Sequence, residues 1–170
     1  MQIAYIKSQK RGETDRLLSE IADKLQTQGK SLAGIVKVQA YESSFDNGCD
    51  MKVRVLPEGP DIKITQNLGT GSDACRLDPT AITDAVARVE AQSLENADLF
   101  MLNKFGPEES AGRGFCNVIG TALDAGVPVL VGVGGASIAA FESFAGDLAV
   151  SVPEDEQAIL DWVQSRLPES

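Results

Sequence analysis

The sequence predicts an α/β protein, a three-layer α/β/α sandwich around a mostly parallel sheet, and three observations support it. Short apolar runs alternate with stretches of helical periodicity, the pattern of strands joined by crossover helices. Between residues 51 and 66 the pattern becomes a strict apolar–polar alternation, which is typical of an inserted antiparallel hairpin with one exposed face. No repeat or linker interrupts the 170 residues, so we expect a single domain over residues 1–170.

The first half of the chain predicts two buried strands, one helix and the hairpin. In order these are a strand at 3–6, a helix with its apolar face over 14–25, a strand at 32–40 and hairpin strands at 51–56 and 61–66. Gly29 ends the helix, and residues 57–60, Pro-Glu-Gly-Pro, supply the hairpin turn.

The second half predicts further strand–helix units. Asp78 before Pro79 combines an N-cap side chain with a proline at the first helical position, so a helix begins there and is expected to reach about residue 96. The following elements are a strand at 99–102, a polar loop at 103–114, a helix at 115–125, a strand at 127–133, a short helix and strand, and a helix around 159–167.

Composition excludes several classes of function. The chain has 15 Lys and Arg against 25 Asp and Glu, a formal net charge of −10 that repels nucleic acid and anionic lipid. It has no histidine, which excludes Ser-His-Asp, Cys-His and HExxH chemistry. The longest apolar stretch, 127–141, is shorter than the roughly 20 residues that span a bilayer, so no membrane insertion is expected.

The three cysteines form neither a disulfide framework nor a CxxC metal motif, and the chain starts without a signal-peptide pattern. These features predict a cytoplasmic protein. Cys49 and Cys75 both belong to the hairpin region, where they could meet and hold a soft metal ion. The alternative is that both are small buried apolar side chains.

The candidate site lies at the carboxyl ends of the parallel strands, where ligands bind in open α/β sheets. The loops at 7–12, 103–114 and 132–137 should therefore share one edge. The first loop retains part of a Walker A motif, GxxxxGK[ST]: Gly12 and Thr14 match, whereas Lys7 replaces the first glycine and Glu13 replaces the lysine. Gly12 and Thr14 can still offer backbone amides and a hydroxyl to an anion at a helix N-terminus.

Basic side chains concentrate on these loops in an otherwise acidic protein, which favours an anionic ligand. The alternative is that they pair with Asp15, Glu108 and Glu109 on the surface. The predicted anion-binding residues are Lys10, Arg11, Gly12, Thr14, Lys104, Arg113 and Ser137.

Five segments carry a family resemblance: 11–18 (RGETDRLL), 49–51 (CDM), 75–78 (CRLD), 103–106 (NKFG) and 112–115 (GRGF). The order of elements resembles the small P-loop nucleoside-triphosphatases first described from thermophiles. The five segments more closely resemble an uncharacterised bacterial family allied to them and often encoded beside molybdate ABC transporters. The resemblance implies a P-loop NTPase-like fold.

Carrying the triphosphatase residues onto this chain places the Walker lysine at Glu13, the magnesium-ordering Asp at Asn103 and the catalytic Glu at Lys104. Each charge that hydrolysis needs is therefore lost or reversed. Since Glu13 and Lys104 should lie on neighbouring loops, we expect them to pair with each other.

The leading hypothesis is a non-hydrolysing P-loop-like protein that binds a nucleotide or a small oxyanion such as molybdate or tungstate, as an accessory to molybdate uptake or storage. The molybdate connection rests on the resemblance alone. A second hypothesis is a nucleoside-triphosphatase in which Thr14, Asp15 or Glu108 places magnesium. A third is a protein-binding scaffold. The oligomeric state is left open, a homo-oligomer included.

Overall fold

The fold is built on a seven-stranded sheet whose strands, from one edge to the other, are β4 (Asp61–Lys63), β3 (Lys52–Val55), β2 (Leu32–Lys37), β7 (Leu99–Phe105), β8 (Val129–Val133), β1 (Ile3–Lys7) and β9 (Ala149–Ser151). The computed structural model describes residues 2–42, 50–67 and 75–167. Strands β2, β7, β8, β1 and β9 run parallel, and β3 and β4 pair antiparallel at one edge. Two further strands, β5 (Thr65–Asn67) and β6 (Cys75–Leu77), form a separate two-stranded sheet.

Helices cover both faces of the sheet. They are α1 (Glu13–Thr27), α2 (Pro79–Glu90), α3 (Pro107–Ser110), α4 (Cys116–Asp124), α5 (Ile138–Ala145) and α6 (Glu156–Arg166). Helix α1 and helix α6 share one apolar core with one face of the strands, and α2, α4 and α5 share a second core with the other face. Successive strand residues such as Leu99 and Phe100 enter opposite cores, which confirms the predicted three-layer sandwich. None of the helices in the described ranges is long and apolar enough to cross a membrane.

The predicted hairpin is present, with Val53 paired to Ile62. Its second strand is shorter than expected, because residues 65–67 leave the main sheet and pair with residues 75–77. The backbone follows this change of partner: Asp78 N donates to the carbonyl oxygen of Ile64 at 2.7 Å. The prediction of one continuous strand over 61–66 is therefore wrong in its second half.

Helix α2 begins as predicted, since the Asp78 carboxylate accepts from Thr80 N at 3.0 Å and Pro79 follows it. The expected end at residue 96 is wrong. The helix stops at Glu90, and a 3-10 turn at Leu94–Asn96 places the buried Leu94 in the core before β7 begins.

The loop predicted over 103–114 also differs from the structure. Strand β7 continues through Asn103 and Lys104 to Phe105, whose fully buried ring packs 5.2 Å from that of Phe141. The polar residues Asn103 and Lys104 led to the prediction of a loop, although they belong to the last part of this strand. The short helix α3 follows, and the buried Glu109 carboxylate fixes the rest of the connection by accepting from the backbone amides of Gly106 (3.0 Å) and Phe115 (3.1 Å).

Candidate functional site

A cleft of about 460 Å³ lies at the carboxyl edge of the parallel strands. It is lined by Ser8, Arg11, Gly12, Thr14, Asp15, Lys37, Met51, Asn103, Lys104, Gly132, Val133, Gly134 and Gly135. The segments after β1, β7 and β8 all contribute, so the expectation that these segments share one edge is confirmed. The end of β2 adds Lys37, which the sequence analysis did not single out.

Close backbone contact holds these segments together at Gly132, in β8. A Cβ atom at this position would lie 2.4 Å from the carbonyl oxygen of Asn103 and 2.8 Å from Cγ2 of Thr14. Neither distance is compatible with a side chain. A glycine at 132 therefore lets β8, β7 and the start of α1 form one compact floor for the cleft.

The charge in the cleft is opposite to that of the whole protein. Among the described residues that line it, Arg11, Lys37 and Lys104 bring three positive charges against the single carboxylate of Asp15. The Lys104 side chain lies along the cleft wall, since a Cβ on Gly134 would be 3.0 Å from its Cε. An anion entering here meets lysines from two adjacent strands, β2 and β7.

Asp15 is the acidic residue among the described residues that line the cleft, and it is half-buried. Burial raises its pKa, while the positive charges of Lys37 and Lys104 and a hydrogen bond from Asn103 act in the opposite direction. The Asn103 amide donates to the Asp15 carboxylate at 3.4 Å. Asn103 is itself 4% exposed, so this contact orients an amide at the floor of the cleft.

The β1–α1 loop, residues 8–12, already holds a carboxylate. Glu154, from the segment after β9, accepts hydrogen bonds from the backbone amides of Gln9 (3.2 Å) and Lys10 (3.3 Å) and from the hydroxyl of Thr14. These amides and this hydroxyl belong to the loop that was expected to receive an oxyanion. No local pattern in the sequence pointed to Glu154, because its role requires β9 to lie beside β1.

The predicted pair between Glu13 and Lys104 is wrong. The Glu13 carboxylate pairs with Arg16, three residues later on the same exposed face of α1, and Arg16 also binds Glu20 at 2.8 Å. A partner one helical turn away is available without crossing the cleft. The Arg16 side chain lowers the pKa of Glu13 through this hydrogen bond. Lys104 meanwhile faces the cleft and the Asp15 carboxylate.

Three of the predicted anion-binding residues do not line the cleft. Arg113 pairs with Glu108 through Nε at 3.0 Å, and its side chain is 65% exposed. Lys10 contributes its backbone amide to Glu154, and Ser137 is buried with its own amide donating to the carbonyl oxygen of Gly134 at 2.9 Å. Arg11, Gly12, Thr14 and Lys104 do line the cleft, and their role in binding stays a prediction.

Comparison with known proteins places the chain in a family. The family model described as "Protein of unknown function (DUF2478)" matches residues 3–162. The chain belongs to this family.

One sequence relative and one solved structure extend this result. The chain is 32% identical over 163 residues to "Molybdenum import ATP-binding protein ModC 2" from Bradyrhizobium diazoefficiens, an alignment that covers 95% of this chain and 18% of that protein. It therefore spans less than a fifth of the length of this relative. The crystal structure of THEP1 from the hyperthermophile Aquifex aeolicus superposes with a TM-score of 0.68, covering 99% of this chain and 100% of that chain at 15% identity. This likeness confirms the predicted P-loop NTPase-like fold.

The magnesium site that such a fold implies does not fit the residues of this DUF2478 chain. The Thr14 hydroxyl, which would face the ion, donates to Glu154, and the position in β7 where a carboxylate is expected is occupied by the amide of Asn103. Within the described part of the chain, no group of three or more Asp, Glu or Cys side chains could hold a metal ion.

The hypothesis of a soft-metal site at Cys49 and Cys75 lies outside what the structure describes. Cys49 falls in the undescribed segment 43–49, and for Cys75 only the backbone, in β6, is described. Cys116 is a buried thiol, and burial raises its pKa.

Proposed function

We propose that this protein binds a small anionic ligand, a nucleotide or an oxyanion such as molybdate, in the cleft at the carboxyl edge of its sheet, and that it does not hydrolyse nucleoside triphosphates. The observation that carries the proposal is the excess of positive charge in this cleft, with Lys37 and Lys104 from adjacent strands, in a protein whose net charge is −10. Clustered cations in a concave site raise the local concentration of anions.

Two features favour binding without hydrolysis. Phosphoryl transfer depends on positioning and on charge stabilisation, and here the Walker lysine position is Glu13, paired with Arg16. The loop amides of Gln9 and Lys10 and the Thr14 hydroxyl are engaged by Glu154, so a γ-phosphate would have to displace a carboxylate to reach them. Glu108, a magnesium ligand in the nucleoside-triphosphatase hypothesis, pairs with Arg113 and does not line this cleft.

The relatives support the choice of ligands to test. The name of the Bradyrhizobium relative refers to molybdenum import and ATP binding. We carry both ideas to this chain as proposals, because it matches only 18% of that protein. A role in molybdate uptake or storage belongs to the same proposal.

Calorimetric titration at low ionic strength tests binding, with phosphate, molybdate, tungstate and ATP as probes. We expect Lys104→Ala and Lys37→Ala each to weaken binding about tenfold, because each removes a charge-assisted contact to the anion. Lys30→Ala is the matched control: it removes one positive charge before the amino end of β2, at the opposite edge of the sheet. Failure of all four probes to bind the wild-type protein would favour the scaffold hypothesis.

Phosphate release from ATP and GTP in the presence of magnesium tests the second part. We expect no release above the protein-free background. A turnover of order 1 per second, which is ordinary for enzymes, that disappears in Thr14→Ala would show that the protein is a nucleoside-triphosphatase.

A further inference from the structure

The cationic cleft adjoins a second cavity of about 500 Å³ on the hairpin side of the sheet edge. Met51, Asn103 and Lys104 line both. The two spaces therefore meet at the end of β7, and the exposed Lys104 side chain stands at their junction. A ligand whose anionic group is held by Lys104 has direct access to the second cavity.

The second cavity has a different chemistry from the cleft. Its walls are mainly apolar and include Ile35, Ile64, Leu77, Ile82, Leu102 and Phe115. Its volume lies in the range of sites that bury organic ligands, about 300–1,000 Å³. Molybdate, tungstate and phosphate have no apolar surface, so this cavity cannot strengthen their binding.

Polar groups also line the apolar cavity. Arg76, Thr65 and Glu108 belong to its lining. The Thr65 hydroxyl oxygen accepts from Met51 N at 3.1 Å, which leaves its proton available to a ligand acceptor. A mostly apolar space with a few hydrogen-bonding groups suits a heteroaromatic ring better than an alkyl chain.

From this juxtaposition we propose that the ligand is a phosphorylated ring compound of about the size of a nucleoside monophosphate. Its phosphate lies in the cleft beside Lys104 and Lys37, and its ring lies in the cavity walled by α2, β6 and Phe115. This inference rests on the proposed function, since it needs the cleft to bind anions. It goes further by excluding a bare oxyanion as the preferred ligand.

Calorimetric titration with matched probes tests the inference. AMP and GMP carry a phosphate and a ring, ribose 5-phosphate lacks the ring, and inorganic phosphate lacks both ring and sugar. We expect AMP or GMP to bind at least about tenfold more tightly than ribose 5-phosphate, because the ring buries apolar surface.

Two variants locate the ring. Ala85→Leu adds volume to a buried position of α2 that lines the cavity, and Leu77→Ala removes apolar surface from its half-buried wall. Each should reduce the preference for the nucleotide over ribose 5-phosphate at least threefold while leaving the affinity for ribose 5-phosphate unchanged. Lys104→Ala should weaken all the phosphates alike. Circular dichroism checks that each variant is folded. If Ala85→Leu does not fold, Leu77→Ala alone tests the position of the ring.

The outcomes separate the two proposals. If phosphate, molybdate or ribose 5-phosphate binds as tightly as AMP and GMP, the inference about the ring is overturned and the proposed anion site stands. A nucleotide preference that survives both cavity variants also overturns it, because the ring then lies elsewhere. If no probe binds the wild-type protein, the proposed function fails together with the inference.

Discussion

At the residue scale, Glu154 connects two distant parts of the chain. Its carboxylate accepts from Gln9 and Lys10, 145 and 144 residues away, and from the Thr14 hydroxyl. A carboxylate that accepts from several oriented donors forms charge-assisted hydrogen bonds and occupies groups that an external anion would otherwise use. Glu154 thus shapes the β1–α1 loop and reduces what this loop can offer to an external anion.

We expect Glu154→Ala to lower the free energy of unfolding by about 1–2 kcal/mol, because three donors lose a charged acceptor and must turn to water. Urea denaturation measures the change. Glu142→Ala, at an exposed position of α5, is the control for the loss of one carboxylate. Equal stabilities of the two variants would mean that the Glu154 contacts contribute nothing in solution.

Asp15 gives a prediction about pH. Burial raises its pKa above the ordinary value of 3.8, so the folded protein holds this proton more tightly than the unfolded chain does. Ionisation of Asp15 therefore costs stability as the pH rises from about 3.8 through the raised pKa. Asp15→Asn avoids this cost. We expect the stability of Asp15→Asn relative to wild type to increase over this pH window and then to level off.

Urea denaturation at pH 3.5, 5 and 7 measures this difference. Asp124→Asn, at an exposed position on α4, corrects for the removal of one negative charge. A relative stability of Asp15→Asn that falls as the pH rises would contradict the assignment, since it would mean that the neighbouring lysines outweigh burial.

At the element scale, the centre of the sheet depends on how closely β2 approaches β7. Gly34 in β2 has φ +101°, and a Cβ at this position would lie 1.8 Å from the carbonyl oxygen of Met101. Two neighbouring parallel strands cannot separate locally without losing their pairing. A side chain at residue 34 therefore strains the part of the sheet that delivers Lys37 and Lys104 to the cleft.

We expect Gly34→Ala to destabilise the protein by at least about 3 kcal/mol, since the backbone strain and the clash add. Gly29→Ala is a matched control, because Gly29 has φ +81° but no atom within 4 Å of the Cβ position. Gly29→Ala should lower the free energy of unfolding by about 1–2 kcal/mol, because alanine is strained in the left-handed conformation and no clash is added. Thermal and urea unfolding of the two variants measure the difference, and equal losses would contradict the close approach of the strands.

At the scale of the whole molecule, the two cores lie on opposite faces of one sheet and use alternate residues of the same strands. Loss of one core removes one side of every central strand. We therefore expect one cooperative unit, and the single domain over residues 1–170 stays a prediction.

We expect a single unfolding transition that coincides in far-ultraviolet circular dichroism and in the fluorescence of Trp162, the only tryptophan, which packs on the core of α1 and α6. Ile119→Ala, in the opposite core, should lower the free energy of unfolding that Trp162 fluorescence reports by about 2–5 kcal/mol. Two separate transitions would show that the two faces of the sheet unfold independently. So would an unfolding transition in Trp162 fluorescence that is unchanged by Ile119→Ala.

The family match and the superposition with THEP1 establish the family and the fold of this molecule. Its ligand has to be inferred from the side chains of its own site, because one fold can host many functions. Lys7 and Glu13 depart from the Walker A motif of the triphosphatases. The positive charges that could bind an anion are those of the side chains lining the cleft. The sequence predicted this edge of the sheet together with Arg11 and Lys104, and the structure added Lys37 to the cations that line the cleft.

The features that could be predicted from the sequence are those that local patterns encode. Helical periodicity and alternation defined the layers, and Asp78 with Pro79 fixed the start of α2, because capping and φ preferences act within a few residues. The departures from the Walker motif at Lys7 and Glu13 were also readable from the sequence. These features do not depend on which strands become neighbours.

Which charged side chains meet could be known only from the folded chain. Glu154 reaches the β1–α1 loop because β9 pairs with β1, and Lys37 joins Lys104 because β2 pairs with β7. Glu13 takes a partner on its own helix instead of crossing the cleft. Strand order results from packing the helices over both faces of the sheet, a property of the whole chain. No local signal in the sequence therefore specified these pairings, or the junction of the cleft with the apolar cavity.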